Sequence, residues 1–401
     1  MVLFFKQMHF LSKNWMNKVL LKILDSFYIG ILWLIITAIK TSIFILKKKK
    51  KNRIAALPYL PKNYPGGNIR IGNWKKHFNN RNQEFDVFWA SEKDQFEKWI
   101  TPGLNIKNYF FHFLVLFKRT KTFLKIRNYE IIWLQRNFIP FYPLKDPLFE
   151  KLIKKLGKVL IVDYYDADYL HNKSLVNETA LIADKITVSS PFLFEYFKKI
   201  NPYTFLLPLT IEPNKYYQKD GNQKNKELVI GWMGNPGNAL ELIKIKEALI
   251  ALEKRYSKKI SFEFLCRGEI SLPLKQLKLK KWTEKDFNYY DWLSSVDIGI
   301  VPYTSNTERL RAKSPMKTLE FLCSSIPVVI SPCESYPELI HNDNCLIARD
   351  YEEWINYISM LIENPNERKR IGKSGKFYFN NHHTYTKNIN LLQKILSLNS
   401  I

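Results

Sequence analysis

An α/β chain with two domains built on parallel sheets is the fold class predicted here, and three stretches predict it. Asp297 to Ser331, DIGIVPYTSNTERLRAKSPMKTLEFLCSSIPVVIS, reads as strand, loop, helix and strand, with apolar runs at Val296–Val301 and Pro327–Ile330 framing a βαβ crossover. Leu228 to Lys244, LVIGWMGNPGNALELIK, reads as a strand, a glycine-containing loop and a helix. Lys158 to Asp168, KVLIVDYYDAD, is an apolar strand that ends in carboxylates. With 401 residues the chain is long enough for two domains with separate cores. Its 46% hydrophobic and 15% aromatic content excludes a disordered protein.

The net charge is +25. Such a balance suits nucleic acid or an anionic membrane surface, and the start of the chain favours the membrane. Residues 1–53 hold eleven Lys or Arg against Asp25 alone. Residues 11–26 alternate with helical period, Leu11, Trp15, Val19, Ile23 and Leu24 against lysines and asparagines, as a basic interfacial helix does. Phe27 to Leu46 is mostly apolar and is closed by Lys47 to Lys51, which is long enough to cross a bilayer of about 30 Å. A single span would put the lysine cluster and all that follows in the cytoplasm but send the basic helix to the far side; a monotopic anchor avoids that conflict, and both remain open. A cleaved signal peptide is disfavoured because no small-residue site follows the apolar run. No nucleic-acid module is recognisable. The four cysteines, Cys266, Cys323, Cys333 and Cys345, have neither C-x-x-C pairing nor histidines at metal spacing, so no metal site and a reducing compartment are expected.

In the first domain RIAALPY, Arg53 to Tyr59, is the opening strand, and PKNYPGGNIR follows as a loop with Gly66 and Gly67, which alone reads as an ordinary turn. Phe85–Ala90 and Glu130–Gln135 are further strands around a basic helix at Tyr109–Arg127. The strand at Lys158 delivers Asp163, Asp166 and Asp168 to its carboxyl end, where carboxylates can bind sugar hydroxyls or cap turns. Asp166-Ala167-Asp168 also fits the D-x-D metal pattern of single-domain, manganese-dependent glycosyltransferases, but that pattern leaves the second α/β half unexplained. A polar run from Asn214 to Lys226 is the expected hinge.

In the second domain the helix after Gly231, Gly234 and Gly237 is predicted to start behind Asn238, which has capping-box spacing to Glu241. The later helix is predicted to start at Pro315 with Ser314 as N-cap. Lys317 then falls in the first turn, where a cation opposes the helix dipole. Lys313, Lys317 and Glu320 stand at i, i+4 and i+7. Either the lysines decorate a solvated face or they meet a phosphate at the helix N-terminus.

The run VDIGIVPY…RAKSPMKTLEFLCSSIPVVIS resembles the donor-site segment of family-4-type retaining glycosyltransferases of the two-domain GT-B architecture. Q-R-x after the third strand, A-D-K-I-T-V-S-S and I-G-W-M-G-N-P resemble the same family, over about residues 53–397. The resemblance implies two Rossmann-like domains facing a cleft: a membrane-anchoring segment 1–52, an acceptor domain 53–213, a hinge 214–227, a donor domain 228–373, and a tail 374–401 packing back on the first domain. Glu320, followed by FLCSSIPVV, matches the glutamate that holds the nucleotide ribose. The family's first glutamate falls on Ala312, and its helix-ending glycine on Ser325, which must either take a left-handed backbone at some cost or end the helix differently.

The function so implied is transfer of a sugar from a nucleotide-diphosphate sugar to a lipid-linked or surface-glycan acceptor at the cytoplasmic face of the membrane, with retention and with no cofactor or metal. Lys317, Lys313 and Arg267 would stabilise the leaving diphosphate. Glu320, Gly231, Gly234, Ser314, Pro315, Met316 and Tyr303 would bind the donor; Gly66, Gly67, Arg70, Asp163, Asp166 and Asp168 would bind acceptor or sugar. A nucleotide-sugar epimerase of the same fold, and a catalytically weak binding relative, are the alternatives.

Overall fold

The computed structural model describes residues 15–42, 53–78, 83–100, 106–217, 227–282, 287–303, 307–332 and 339–397. Lys47–Lys51, Cys333 and most of the expected hinge lie outside the described residues. The chain divides into two compact units: Met1–Ser189, Leu193–Leu207 and Ile389–Ile401 form the first, Ser190–Phe192 and Pro208–Asn388 the second.

Each unit is built on a six-stranded parallel sheet. The first contains β1 (Arg53–Leu57), β2 (Glu84–Val87), β3 (Ile131–Gln135), β4 (Val159–Tyr164), β5 (Lys185–Val188) and β6 (Thr204–Leu206) in the order β2-β1-β3-β4-β5-β6. The second contains β7 (Leu228–Gly234), β8 (Ile260–Cys266), β9 (Leu277–Lys281), β10 (Ile298–Val301), β11 (Val328–Ile330) and β12 (Leu346–Ile347) in the order β12-β11-β10-β7-β8-β9. Every residue of β3, β5, β10 and β11 is buried; β10 and β11 read as unbroken apolar runs, whereas β5 encloses Lys185 and Thr187 and β3 ends on buried Gln135. The strand order reverses between β1 and β3 and between β7 and β10, so each sheet has one crevice at its carboxyl edge where loops diverge. The α/β class, the two Rossmann-like sheets of the GT-B architecture and the apolar N-terminal helix are all present.

Several boundaries differ from expectation. The helix expected behind Asn238 is Pro236–Ile243, with Asn235 at its N-cap and Pro236 at its first position, because proline's fixed φ suits that place. The helix expected at Pro315 is Met316–Cys323; Pro315 is itself the N-cap, and no side chain caps it. The expected loop at Gly66 and Gly67 is helical, in a turn from Pro65 through Gly72. The amphipathic stretch and the apolar run are parts of one helix, Trp15–Ser42. Its Leu21, Tyr28, Leu32, Ile36 and Ile39 are buried along one face. There Tyr28 meets Phe113 edge-on and the Tyr109 hydroxyl donates to Asp25 Oδ1 at 2.6 Å, so the helix is docked on the 106–126 helix.

Ser325 does adopt the left-handed backbone, with φ 57°. It closes a Schellman turn: Ile326 N–H donates to the Phe321 carbonyl at 3.0 Å and Ser325 N–H to that of Leu322 at 3.0 Å. The Pro365–His382 helix lies on this turn so closely that a Cβ on Gly372 would stand 2.2 Å from the Ser325 carbonyl oxygen. Ser325→Gly is therefore expected to raise the unfolding free energy by about 1 kcal/mol. Gly372→Ala should lower it by about 1–3 kcal/mol, both read in denaturant titrations.

Candidate active site

In the second unit, β7 and β10 end side by side at the strand-order reversal. The Pro236–Ile243 helix leaves β7, and β10 continues into Tyr303, whose N–H donates to Ser331 Oγ at 3.0 Å. The Met316–Cys323 helix contacts β10 and β11. Lys317 Nζ lies 4.8 Å from the Trp232 ring centroid and 5.6 Å from that of Tyr303. Lys313 Nζ is also 5.6 Å from the Tyr303 ring and donates to Asn238 Oδ1 at 3.0 Å. Asn238, expected as a cap, is instead the partner of this ammonium group.

Two cations thus share one ring. A Cβ on Gly234 would stand 2.9 Å from Lys317 Nζ and 2.5 Å from the Trp232 ring, so only glycine leaves the ammonium its place. Loss of water, then repulsion from Lys313, lowers the Lys317 pKa to about 7. No carboxylate among the described residues is within ion-pair distance of Lys317. Arg267 is exposed directly after Cys266, which pairs with Gly234 across β7 and β8, so it stands beside the same strand ends. Ser314 and Pro315 are buried just ahead of the helix and Met316 is partly exposed. Gly231 faces Val296 and serves strand packing. Ala312 is fully buried.

Glu320 is buried one turn beyond Lys317, and its Oε1 accepts the Tyr216 hydroxyl at 3.1 Å. Burial pushes its carboxyl up to about 7, although hydrogen bonds from Tyr289 and Tyr216 and the charge of Lys317 oppose the rise. Tyr216 in turn meets Tyr290 edge-on, and Tyr289 stacks on Trp282. Tyr289 and Tyr290 carried no signal in the sequence. Tyr216 closes the run TFLLPLTIEPNKY, and its contact with Glu320, 104 residues away, is one no local pattern shows.

In the first unit, the predicted sugar-binding residues separate into two groups. Arg70 and Asp163 are 2% and 0% exposed and are paired with each other. Arg70 Nη1 also donates to the Leu207 carbonyl at 2.9 Å, and Thr187 Oγ1 to Asp163 Oδ1 at 2.7 Å. Their polar atoms are committed within the core. Gly66 and Gly67 are packing positions, the first against Leu60 and Tyr165, the second against Trp89 and Leu60. Asp166 and Asp168 converge instead on Arg136, at 2.9 Å and 3.0 Å. Arg136 follows β3 at the strand-order reversal with φ 62°, and its guanidinium lies between the rings of Tyr59 and Tyr165, 5.0 Å and 4.9 Å away. Burial opposes its charge, but Asp168 and then Tyr165 and Asp166 more than offset that and hold its pKa above the usual value. Burial raises the Asp168 carboxyl to about 7, with Arg136 opposing. An arginine in the Q-R-x loop after an apolar strand was the visible signal for this residue. Among the described residues, no group of three His, Cys, Asp or Glu side chains is arranged to hold a metal ion.

Residues 246–394 match the model of a family described as glycosyl transferase-like. No curated protein sequence matches the chain. Its fold is similar to that of a glycosyltransferase from Rickettsia africae, with a TM-score of 0.61 and 14% identity over 87% of this chain and 100% of that one. Sucrose-phosphate synthase from Thermosynechococcus elongatus is similar with a TM-score of 0.60 and 12% identity, over 86% of this chain and 98% of that one. The Anabaena protein HepE, in complex with UDP and glucose, is similar with a TM-score of 0.58 and 13% identity, over 86% and 100%. The fold is GT-B, and the glycosyl transferase-like match is confined to residues 246–394.

Glu320 gives this site a pH signature. Its folded-state pKa of about 7 exceeds the ordinary 4.5, so the folded protein binds the proton more tightly. Stability attributable to this group is present below about pH 4.5 and falls as pH rises to 7. Glu320→Gln is expected to remove that fall, a difference on the order of 1–3 kcal/mol between pH 4.5 and 7.5, in paired denaturant titrations.

Proposed function

We propose that the chain is a glycosyltransferase that moves a sugar from a nucleotide-diphosphate sugar to a lipid-linked or surface-glycan acceptor, with retention of configuration. The observation that carries the proposal is the pair of ammonium groups, Lys313 and Lys317, held on one aromatic ring at the carboxyl edge of the second sheet. A diphosphate is the anion that two ammonium groups so placed would bind. Lys317 and Lys313, with Arg267 beside them, then stabilise the charge that builds on the leaving diphosphate, the task a divalent metal performs elsewhere, so the chemical step needs none. Glu320 is the ribose contact in this reading, with Tyr216 giving up its hydrogen bond or sharing it. The HepE complex with UDP and glucose supports a uridine donor as the first to try.

Asp166 and Asp168 are proposed as the sugar-hydroxyl contacts of the first unit, with Arg136 holding both carboxylates in position. Their pairing with Arg136 supports a hydrogen-bonding role over the D-x-D metal role. The membrane is proposed as the site of action, on its cytoplasmic face, supported by an apolar helix followed by Lys47–Lys51.

Lys317→Ala should lower sugar transfer by about a hundredfold, the scale of losing one charge-stabilising donor, with little change in stability. Turnover equal to that of the parent protein would remove the diphosphate reading. Because the anion requires the charged form of Lys317, UDP affinity should fall as pH rises above 7, by up to about tenfold per unit, and Lys317→Ala should flatten that profile in calorimetric titrations. Turnover is expected to persist in EDTA; full, metal-reversible inhibition would return the D-x-D role to Asp166 and Asp168.

A further inference from the structure

The 106–126 helix belongs to the first unit and has no part in the site chemistry, yet its outer face is apolar. Phe110, Phe117 and Leu124 recur at intervals of seven and are 61%, 50% and 46% exposed. Lys121 and Lys125 are exposed among them, and the helix carries no Asp or Glu. Alongside it, the outward face of the Trp15–Ser42 helix repeats the pattern with exposed Leu20, Phe27 and Leu34, again seven apart. The two faces adjoin, since Phe27 touches Phe113 with ring centroids 5.8 Å apart. Asp25 is the single carboxylate on either helix, and it accepts the Tyr109 hydroxyl.

We infer that these two helices together form a bilayer-contact surface, on which the first unit lies flat against an anionic lipid interface. Exposed phenylalanines and leucines enter the boundary between headgroups and acyl chains, and the lysine stems run along them to place their ammonium groups among lipid phosphates. Two observations favour lipid over a second copy of the chain. A two-fold contact would set the same patch against itself and bring Lys121 and Lys125 near their equivalents. The apolar residues are also spread along two helices with lysines between them, as a diffuse anionic surface accommodates. Crossing the bilayer would strip the Trp15–Ser42 helix of its contacts through Leu21, Tyr28 and Leu32 and leave Asp25 unpartnered in hydrocarbon. Docked, the helix keeps them. The inference rests on the membrane part of the proposed function but not on its chemistry.

Co-sedimentation of the full chain with vesicles of phosphatidylcholine and phosphatidylglycerol tests it. Phe110→Ser/Phe117→Ser/Leu124→Ser should weaken partitioning at least tenfold while the unfolding transition is kept. Lys121→Glu/Lys125→Glu should abolish the preference for these vesicles over pure phosphatidylcholine. Should the triple variant fold poorly, Leu124→Cys in a Cys333→Ser background, labelled with an environment-sensitive fluorophore, should shift to the blue when vesicles are added. Partitioning unchanged in the folded triple variant, or an unshifted fluorophore on bound protein, would overturn this surface and leave a membrane role for residues 1–52 intact. A parent protein that ignores vesicles, or one whose self-association the triple variant disrupts instead, would overturn the membrane reading as a whole.

Discussion

Burial of both faces of each parallel sheet governs the rest of this chain. With β3, β5, β10 and β11 wholly enclosed, none of these four presents a polar side chain to water along its length, and chemistry is pushed to the carboxyl ends. The strand-order reversals decide which ends are useful. Arg136 stands at one reversal and the Lys313–Lys317 pair at the other, although the two sites share no sequence pattern.

The two units hold buried charge in different ways. In the first, Arg119 donates to the carbonyls of Pro58 and Phe88, while Arg70 meets Asp163 and Arg136 meets Asp166 and Asp168. Removing one member of such a pair would strand the other, which makes them structural as much as functional. In the second unit the charges are kept apart. Lys317 faces rings and another lysine, while Glu320, one turn on, faces tyrosine hydroxyls. An ion pair would have satisfied both at once.

How far the sequence could be read follows from the range of each interaction. Strands β3, β4, β7, β8 and β10 announced themselves because apolar β-branched runs are local signals. So did the Ser325 turn, where a helix had to end without glycine. Asn238 misled because a capping box and a ligand-holding asparagine look the same until Lys313, 75 residues on, is placed beside it. Pro236 carried the better signal two residues earlier. Arg70 and Asp163 are 93 residues apart, and nothing local shows that they neutralise each other. The docking of the N-terminal helix was hidden likewise: its composition reads as a membrane segment, while its inner face is defined by Phe113 and Tyr109, which the period of that helix cannot reveal.

The shifted protonation of Lys317 and Glu320 has a common cause, and that cause bears on how the site would be used. Both groups move toward neutrality chiefly because water is excluded around them, with repulsion from Lys313 adding to the shift of Lys317. A neutral amine and a neutral carboxyl one turn apart cost little to enclose, whereas a separated ammonium and carboxylate would cost several kcal/mol. With a pKa of about 7, Lys317 is divided between its two forms at neutral pH, and an arriving dianion would favour the ammonium form. A pre-formed ion pair with Glu320 would have taken that capacity away, holding Lys317 charged but already spent on its neighbour.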